Sequence, residues 1–417
     1  VRMPLLHSLN LAHLMPLSAQ WSGPVENKHL KDAPLMITNT SNFTPFRLCN
    51  HVNDVGHQMI VGPTGTGKSV LLNMTALQFL RYKDAQVFIF DKGNSFLAAT
   101  KGVGGEYHQV GDLSQDGLVF APLIGIDDAA ECIWATDWIT GLVEGEGITI
   151  DAKRKSAIFE ALSQLAVCPV KERTLTGFRA MVQDEEIRTA LDNYILTGPY
   201  GKILDAESDG FQAARWQCFE MEAIMDMPKI VPVVLSYLFH CLEKQFDGKP
   251  SILILDEAWV FLDHPLFRSK ISAWLKTLRK KNVSVICATQ SAHDALASSI
   301  ASALLESCPT RIFLPNNRIL EPEIRGQYKS LGLNNQQLMI LSHALPRKQY
   351  YYQSSLGNAL FDMSLGPIAL AFAAQSSSKA LKDIKYHMEH HKEDYLEHYF
   401  QHHDLEWAYK ILQERSQ

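Results

Sequence analysis

The sequence predicts an α/β fold: a largely parallel sheet with helices on both faces, an all-helical insertion within it, and a helical C-terminal segment. Three observations carry that prediction. From His57 onward, short strand-like runs alternate with longer helix-like runs. Several strand runs are apolar without alternation, such as VFIF at 87–90 and ILIL at 252–255, which suits strands buried on both faces. One long stretch, 127–205, has helical periodicity throughout and no convincing strand.

Taken in order, residues 1–50 carry Pro4, Pro16, Pro24, Pro34 and Pro45 and read as a lead-in with short strands such as PLMITN. Residues 51–126 read as the first part of the core, with strands in QMIVG, AQVFIFD and GEYHQV and a helix over 69–82. The insertion at 127–205 contains DDAAECIWATDWITGLV, AKRKSAIFEALSQLAV, LTGFRAMVQ and EIRTALDNYIL. Residues 206–320 resume the core with strands RWQCFEM, SILILDEAW, VSVICATQS and TRIFLPN and helices over 228–245, 266–281 and 292–307. Residues 321–417 read as helical, with AAQSSSKA a loop before a final polar helix pair.

Composition narrows the functional classes. With 417 residues, 46% of them hydrophobic, the chain can form two or three domains or one large domain with an insertion. The net charge of −6 argues against a protein that coats nucleic acid, although a local basic patch is compatible with it. The seven cysteines are scattered with no CxxC pair, so neither a zinc ribbon nor a disulfide frame is expected, and reduced thiols in a cytosolic setting are. No apolar run reaches the length of a membrane span, and no signal-peptide pattern opens the chain. The start at Val1 is that expected of a piece of a longer protein.

The motif with the clearest chemistry is Gly62-Pro63-Thr64-Gly65-Thr66-Gly67-Lys68-Ser69, followed by Val70. It fits G-x-x-x-x-G-K-[ST], follows a strand and opens a helix. Glycines let consecutive N–H groups point inward at an anion, and the helix adds the positive end of its dipole. Lys68 is expected to reach the β- and γ-phosphates, and the Ser69 hydroxyl to ligate Mg2+. A ligand-free glycine turn is the bland alternative. Downstream, the apolar strand SILIL runs into Asp256-Glu257. Two carboxylates at the carboxyl end of a buried strand are costly without a cation. Asp256 is expected to hold Mg2+ through water and Glu257 to polarise an attacking water. Asp256 as a mere helix cap is the alternative. The next strand ends on Gln290, which fits the polar residue that RecA-like motors carry between the phosphate-loop strand and the acidic strand to report the γ-phosphate. An ordinary strand-end glutamine in a turn is the alternative.

Together, VGPTGTGKSVLLNMTALQFLRY, VFIFDKGNSF, ILDEAWVFLDHPLF, WLKTLRKKNVSVICATQS and TRIFLPNN resemble the C-terminal ATPase domain of the TrbE family, the large ATPases of conjugative type IV secretion systems. The resemblance covers roughly 1–350. It implies a RecA-like P-loop NTPase core, a helical inserted subdomain and a C-terminal helical lid. It also implies ATP and Mg2+ as ligands, self-association as a ring or dimer (a hexamer when active), and other secretion components as partners. The place it implies is the bacterial cytoplasm, peripheral to the inner membrane. Family members carry a large N-terminal domain before this region. An arginine supplied across a subunit interface is expected of such motors. Arg279, Arg311, Arg318 and Arg325 are the candidates, with Arg279 and Arg325 favoured by position.

Weaker signals have plainer readings. LRKKN at 278–282 suits a last helical turn complementing the dipole, with nucleic-acid contact as the alternative. His387/His391 and His398/His402 are i, i+4 pairs, but on polar helices with no phase linking the pairs. QYYYQ at 349–353 reads as core or interface packing rather than a wall for a base. Trp216, Trp259 and Trp274 read as core or interface residues, and Asp91 as a turn residue at least as readily as a catalytic one. The competing functions are an ATP-driven motor for secretion or pilus biogenesis, a DNA-translocating motor of the coupling-protein or FtsK kind, and a nucleotide-binding scaffold with negligible turnover.

Overall fold

The computed structural model describes residues 7–15, 20–113, 117–257, 265–391 and 394–416. Trp259 and the rest of the segment after the acidic pair, 258–264, lie outside the described residues. The strands are β1 (Met36–Thr40), β2 (Pro45–Leu48), β3 (Gln58–Val61), β4 (Gln86–Asp91), β5 (Glu106–Gln109), β6 (Trp216–Glu220), β7 (Ser251–Leu255), β8 (Val283–Thr289), β9 (Thr310–Phe313), β10 (Gln349–Ser354) and β11 (Gly357–Asp362). They form one sheet in the order β2-β1-β11-β10-β9-β3-β8-β7-β4-β6-β5.

From β9 to β5 every pairing is parallel. The central strands are buried along their whole length, as the unalternating apolar runs require. Register aligns their carboxyl ends. Val61 of β3 pairs with Thr289 of β8 and Phe313 of β9, Leu255 of β7 with Phe90 of β4, and Asp91 with Glu220 of β6. Each strand therefore releases its next residues at one common edge of the sheet.

The sheet continues past β9 in antiparallel pairings, and here the structure corrects the sequence reading. The stretch from 321 onward is not all helical: it contains the β10–β11 hairpin, which pairs Tyr351 with Phe313 of β9 and Phe361 with Thr40 of β1. The lead-in segment supplies β1 and β2 at the sheet's end. Three consecutive tyrosines and a short link through Ser354 and Gly357 belong to strands because both faces of the hairpin are packed. Tyr350 and Tyr352 join one core cluster and Tyr351 the other.

Helices cover both faces. One core cluster joins the sheet to the helices Val231–Gln245 and Pro265–Thr277 and to the insertion; the other packs the helix Lys68–Phe79 against the opposite face. The insertion holds the helices Ala129–Gly145, Ala152–Ala166, Leu175–Met181, Glu185–Leu191 and Gly201–Leu204 and no strand among the described residues. Asp128, Asp151, Thr174 and Asp184 cap its first four helices with side-chain oxygens. It shares the main core: Trp138 Nε1–H donates to the Val233 carbonyl at 3.0 Å. The helix expected over 292–307 is two, Ala292–Ala297 and Ala301–Ser307, and that over 266–281 ends in a 3-10 turn from Leu278.

The C-terminal helices Ser378–His390 and Tyr395–His402 do bring the histidine pairs together, against expectation. His391 stacks on His398 with ring centroids 3.7 Å apart, and His387 lies 5.1 Å from His402. No group of three or more His, Cys, Asp or Glu among the described residues is set to hold a metal ion. All seven cysteines are free, and no helix among the described residues is long and apolar enough to cross a membrane. Trp216 and Trp274 are buried.

Candidate nucleotide site

The segment between β3 and the helix Lys68–Phe79 turns back on itself. Gly65 and Gly67 have φ of +78° and +105°, a region that L side chains seldom enter. At Gly67 space is also closed: an added Cβ would sit 2.4 Å from Tyr350 Oη. Lys68 follows at once, 7% exposed, at the first turn of the helix.

The strand order decides what Lys68 meets. β8 lies between β3 and β7, so the residues leaving these three strands converge. Lys68 Nζ lies 2.8 Å from Asp256 Oδ1 and is also ion-paired with Glu257 Oε1. Gln290 Nε2 donates to Glu257 Oε1 at 2.6 Å, and Thr64 Oγ1 donates to Gln290 Oε1. A single chain of polar contacts thus runs from Asp256 through Lys68, Glu257 and Gln290 back to the loop at Thr64.

β7 stops at Leu255, short of the sequence reading, and the acidic pair forms the turn beyond it. Glu257 has φ +51°, a left-handed conformation costing a non-glycine residue roughly 1–3 kcal/mol. Its N–H donates to Asp256 Oδ1 at 3.0 Å. Burial raises the pKa of Asp256; the Lys68 ammonium opposes that rise, and the Glu257 charge adds to it.

A second pair of carboxylates flanks this group. Asp91, at the end of β4, accepts from Ser95 Oγ at 2.8 Å and from the Phe96 N–H at 3.0 Å, the turn role that is one of its two readings. Burial, then the charges of Glu220 and Asp256, push its pKa up to about 7. Glu220 accepts from the N–H groups of Gly93 and Asn94 at 3.1 and 2.7 Å and so fixes the same turn. Asn73 Nδ2 donates to the carbonyls of Ser69 and Ser95 at 2.9 and 3.0 Å, tying that turn to the phosphate-loop helix.

A cavity of about 600 Å³ opens beside the loop, bounded by Pro63, Thr64 and Gln290 on one side and by Asn316, Tyr328 and Pro346 on the other. The remaining predicted residues fall in three groups. Pro63, Thr66, Ser69 and Val70 lie on the loop and first helical turn as expected, Thr66 with its hydroxyl on the Pro63 carbonyl at 2.5 Å. The Ser69 hydroxyl and the Asp256 carboxylate are hard oxygen donors of the kind Mg2+ takes, and the left-handed cradle suits a phosphate chain, so the donor set fits both groups. The arginines are not gathered at this site. Arg279 precedes β8, at the opposite end of the sheet, 3.8 Å from Asp54. Arg325 donates to Asn335 Oδ1 at 2.9 Å. Arg311 donates to the carbonyls of Leu331 and Leu305, and Arg318 pairs with Glu321.

Two residues that sequence reading missed touch the loop directly: Arg347, whose Nε–H donates to the Gly65 carbonyl at 3.0 Å, and Tyr350, whose hydroxyl donates to the Gly67 carbonyl at 3.1 Å. QYYYQ stands out as an aromatic cluster; nothing local in it points at a loop some 280 residues earlier.

Chemically, the arrangement offers an anion cradle, a lysine to neutralise it, two oxygen donors for a hard cation and a carboxylate oriented by an amide. A model of the TraG P-loop domain matches residues 179–355. A probable conjugal transfer protein TrbE of Sinorhizobium fredii is 44% identical over 393 residues, 92% of this chain and 59% of that protein. The conjugal transfer protein TrbE of Rhizobium radiobacter is 44% identical over 401 residues, 94% of this chain and 48% of that protein. The chain thus spans about half the length of these relatives. The type IV secretion system protein virB4 of Bartonella quintana is 29% identical over 316 residues, covering 75% of this chain and 40% of that protein. Among solved structures, VirB4 of Thermoanaerobacter pseudethanolicus superposes with a TM-score of 0.62 at 14% identity, covering 83% of this chain and 99% of that one. The plasmid coupling protein TrwB in complex with ADP and Mg2+ gives 0.52 at 14% identity, over 74% and 85% of the two chains. These structures share the fold, a RecA-like sheet flanked by helices.

Proposed function

We propose that the chain, 44% identical over more than nine tenths of its length to two conjugal transfer proteins TrbE, is an ATP-hydrolysing motor of type IV secretion. The observation that carries the reading is the contact of Lys68 with both Asp256 and Glu257, with Gln290 on the far side of Glu257. No purely structural role needs a lysine, two carboxylates and an amide converging on a left-handed glycine loop at the carboxyl edge of a parallel sheet.

The loop N–H groups and the helix N-terminus hold the phosphates of ATP. Lys68 moves from the carboxylates onto the β- and γ-phosphates, which releases Glu257. Ser69 would ligate Mg2+ and Asp256 would hold it through water, and the ion would neutralise charge on the phosphates. Glu257, steered by Gln290, takes the proton of a water whose oxygen bonds to the γ-phosphorus as the bond to the β–γ bridging oxygen breaks and ADP leaves. Loss of the γ-phosphate returns Lys68 to Glu257, and Gln290 passes that change to Thr64 and β8. The cavity between the loop and Tyr328 takes the base and ribose. In a ring, a hexamer when active, Arg279 or Arg325 reaches a neighbouring subunit's nucleotide. The setting is the cytoplasmic face of the inner membrane, among other secretion components.

The test is phosphate release from ATP by the unaltered chain against Lys68→Ala and Glu257→Gln. Turnover lost in both, with ATP still bound by Glu257→Gln, is the expected result; equal turnover in all three rejects the motor reading. Strong stimulation by single-stranded or duplex DNA would favour a DNA-translocating motor instead.

A further inference from the structure

We propose that Arg347 and Tyr350 are positioning residues for the phosphate cradle, and that through them the β10–β11 hairpin sets how tightly the loop holds its nucleotide. The proposal rests on the reading of the loop as a triphosphate site. Three consecutive loop carbonyls are held from one short segment. The Arg347 Nε–H donates to the Gly65 carbonyl at 3.0 Å, the Arg347 backbone N–H to the Thr66 carbonyl at 2.8 Å, and the Tyr350 hydroxyl to the Gly67 carbonyl at 3.1 Å. These carbonyls belong to the peptide groups whose N–H donors are those of Thr66, Gly67 and Lys68. Holding each carbonyl from outside fixes the peptide plane, and so fixes where its N–H points; that of Thr66 donates to the Pro63 carbonyl at 3.4 Å within the loop. A cationic donor on a carbonyl also polarises the peptide and strengthens its N–H as a donor.

The holding segment is itself fixed. Arg347 has φ +63°, a left-handed conformation that only surrounding contacts maintain in an arginine. On one side, the Gln349 N–H donates to the Leu345 carbonyl at 2.9 Å. On the other, the Met363 N–H donates to the Lys348 carbonyl at 2.8 Å, which links the segment to the end of β11. Tyr350 is fully buried in β10 and stacks on Phe361 of β11. The loop is thus clamped to the antiparallel half of the sheet, while its catalytic contacts lie in the parallel half.

A cradle held this way binds ground state and transition state alike, so its loss changes affinity and not the chemical step. In the full chain, Arg347→Ala should raise the ATP KM and the Kd for Mg-ATP about tenfold, the scale of one charge-assisted hydrogen bond, with kcat within about twofold. Tyr350→Phe should raise both about threefold, and Arg347→Lys should recover part of the Arg347→Ala loss. Amide hydrogen exchange at Gly65–Lys68 in the nucleotide-free chain should quicken in Arg347→Ala and in Tyr350→Phe. Unchanged KM and Kd, or a fall in kcat at constant KM, overturns the proposal; the latter would put Arg347 on the γ-phosphate. If Arg347→Ala does not fold, Tyr350→Phe decides by the same measures. If the unaltered chain releases no phosphate, the motor reading fails on its own, and the exchange measurement still decides the clamp.

Discussion

Lys68 and Asp256 form an ion pair at 2.8 Å with both side chains almost wholly buried, at the carboxyl ends of two strands that are not neighbours. Removing one partner of such a pair leaves the other charge without compensation. Lys68→Ala should therefore lower the unfolding free energy at neutral pH by roughly 3 kcal/mol, besides abolishing turnover. The double variant with Asp256→Asn should recover most of that stability and none of the activity. Urea unfolding of the three proteins checks both statements.

Glu257→Gln should reduce kcat at least about a hundredfold, since the amide cannot accept the proton. Affinity for ATP should hold or rise, because Lys68 loses a competing carboxylate. Single-turnover phosphate release together with calorimetric ATP titration separates the two effects.

Gln290 is exposed, and its side chain hydrogen-bonds two site neighbours, Thr64 and Glu257. Gln290→Ala should leave stability within about 0.5 kcal/mol, as surface changes do. It should lower kcat about tenfold at constant KM, since it orients Glu257 and does not hold the phosphates. A large rise in KM would assign Gln290 to nucleotide binding instead.

Gly67→Ala meets two obstacles, a left-handed φ of +105° and Tyr350 Oη at 2.4 Å from the new Cβ. ATP binding should be lost. Adding Tyr350→Ala removes the collision but not the backbone strain, so the double variant should regain little affinity, as read by equilibrium binding of Mg-ATP.

Two buried histidines and Asp91 should act on stability with opposite signs over overlapping pH ranges. His57 is buried, accepts the Val285 N–H on Nδ1 at 3.0 Å, and is held down at about 4 by burial; burial holds His51 at about 3. Their folded pKa values lie below the ordinary 6.5, so the stability they contribute is present above pH 6.5 and is lost as pH falls toward 4 and 3. Asp91 has the opposite sign. Its pKa rises from 3.8 to about 7, so its contribution is complete below about pH 4 and is lost as pH rises through 7. Asp91→Asn can accept the Phe96 N–H on Oδ1 and donate from Nδ2 to Ser95 Oγ, and should remove the decline between pH 4 and 7 while leaving the rise that the histidines contribute up to pH 6.5. Tm followed from pH 4 to 8 in both proteins tests this.

The sequence is most legible where function and local structure coincide. GPTGTGKS needs glycines for a left-handed turn and a helix to follow, and both needs are written within eight residues. ILIL before Asp256-Glu257 announces a buried strand and what leaves it. Less legible is the region after 321, where Tyr350–Tyr352 and the strand of Phe361 read locally as part of a helical segment. Their strand character comes from pairing with β9 and β1, partners that no local pattern names. The histidine pairs mislead for the same reason: i, i+4 spacing gives the face of one helix, not the turn that folds the next helix against it.

The sequence by itself determined the chemistry of this protein's loop, its acidic pair and its glutamine, because backbone sterics and side-chain type act at short range. Only the tertiary structure decided that β8 runs between β3 and β7, so that Gln290 meets Glu257 and Lys68 meets both carboxylates. It alone placed Arg347 and Tyr350 behind the loop. Those contacts join residues that are far apart along the chain, and their geometry is set by strand order and register, which emerge only when the whole sheet packs.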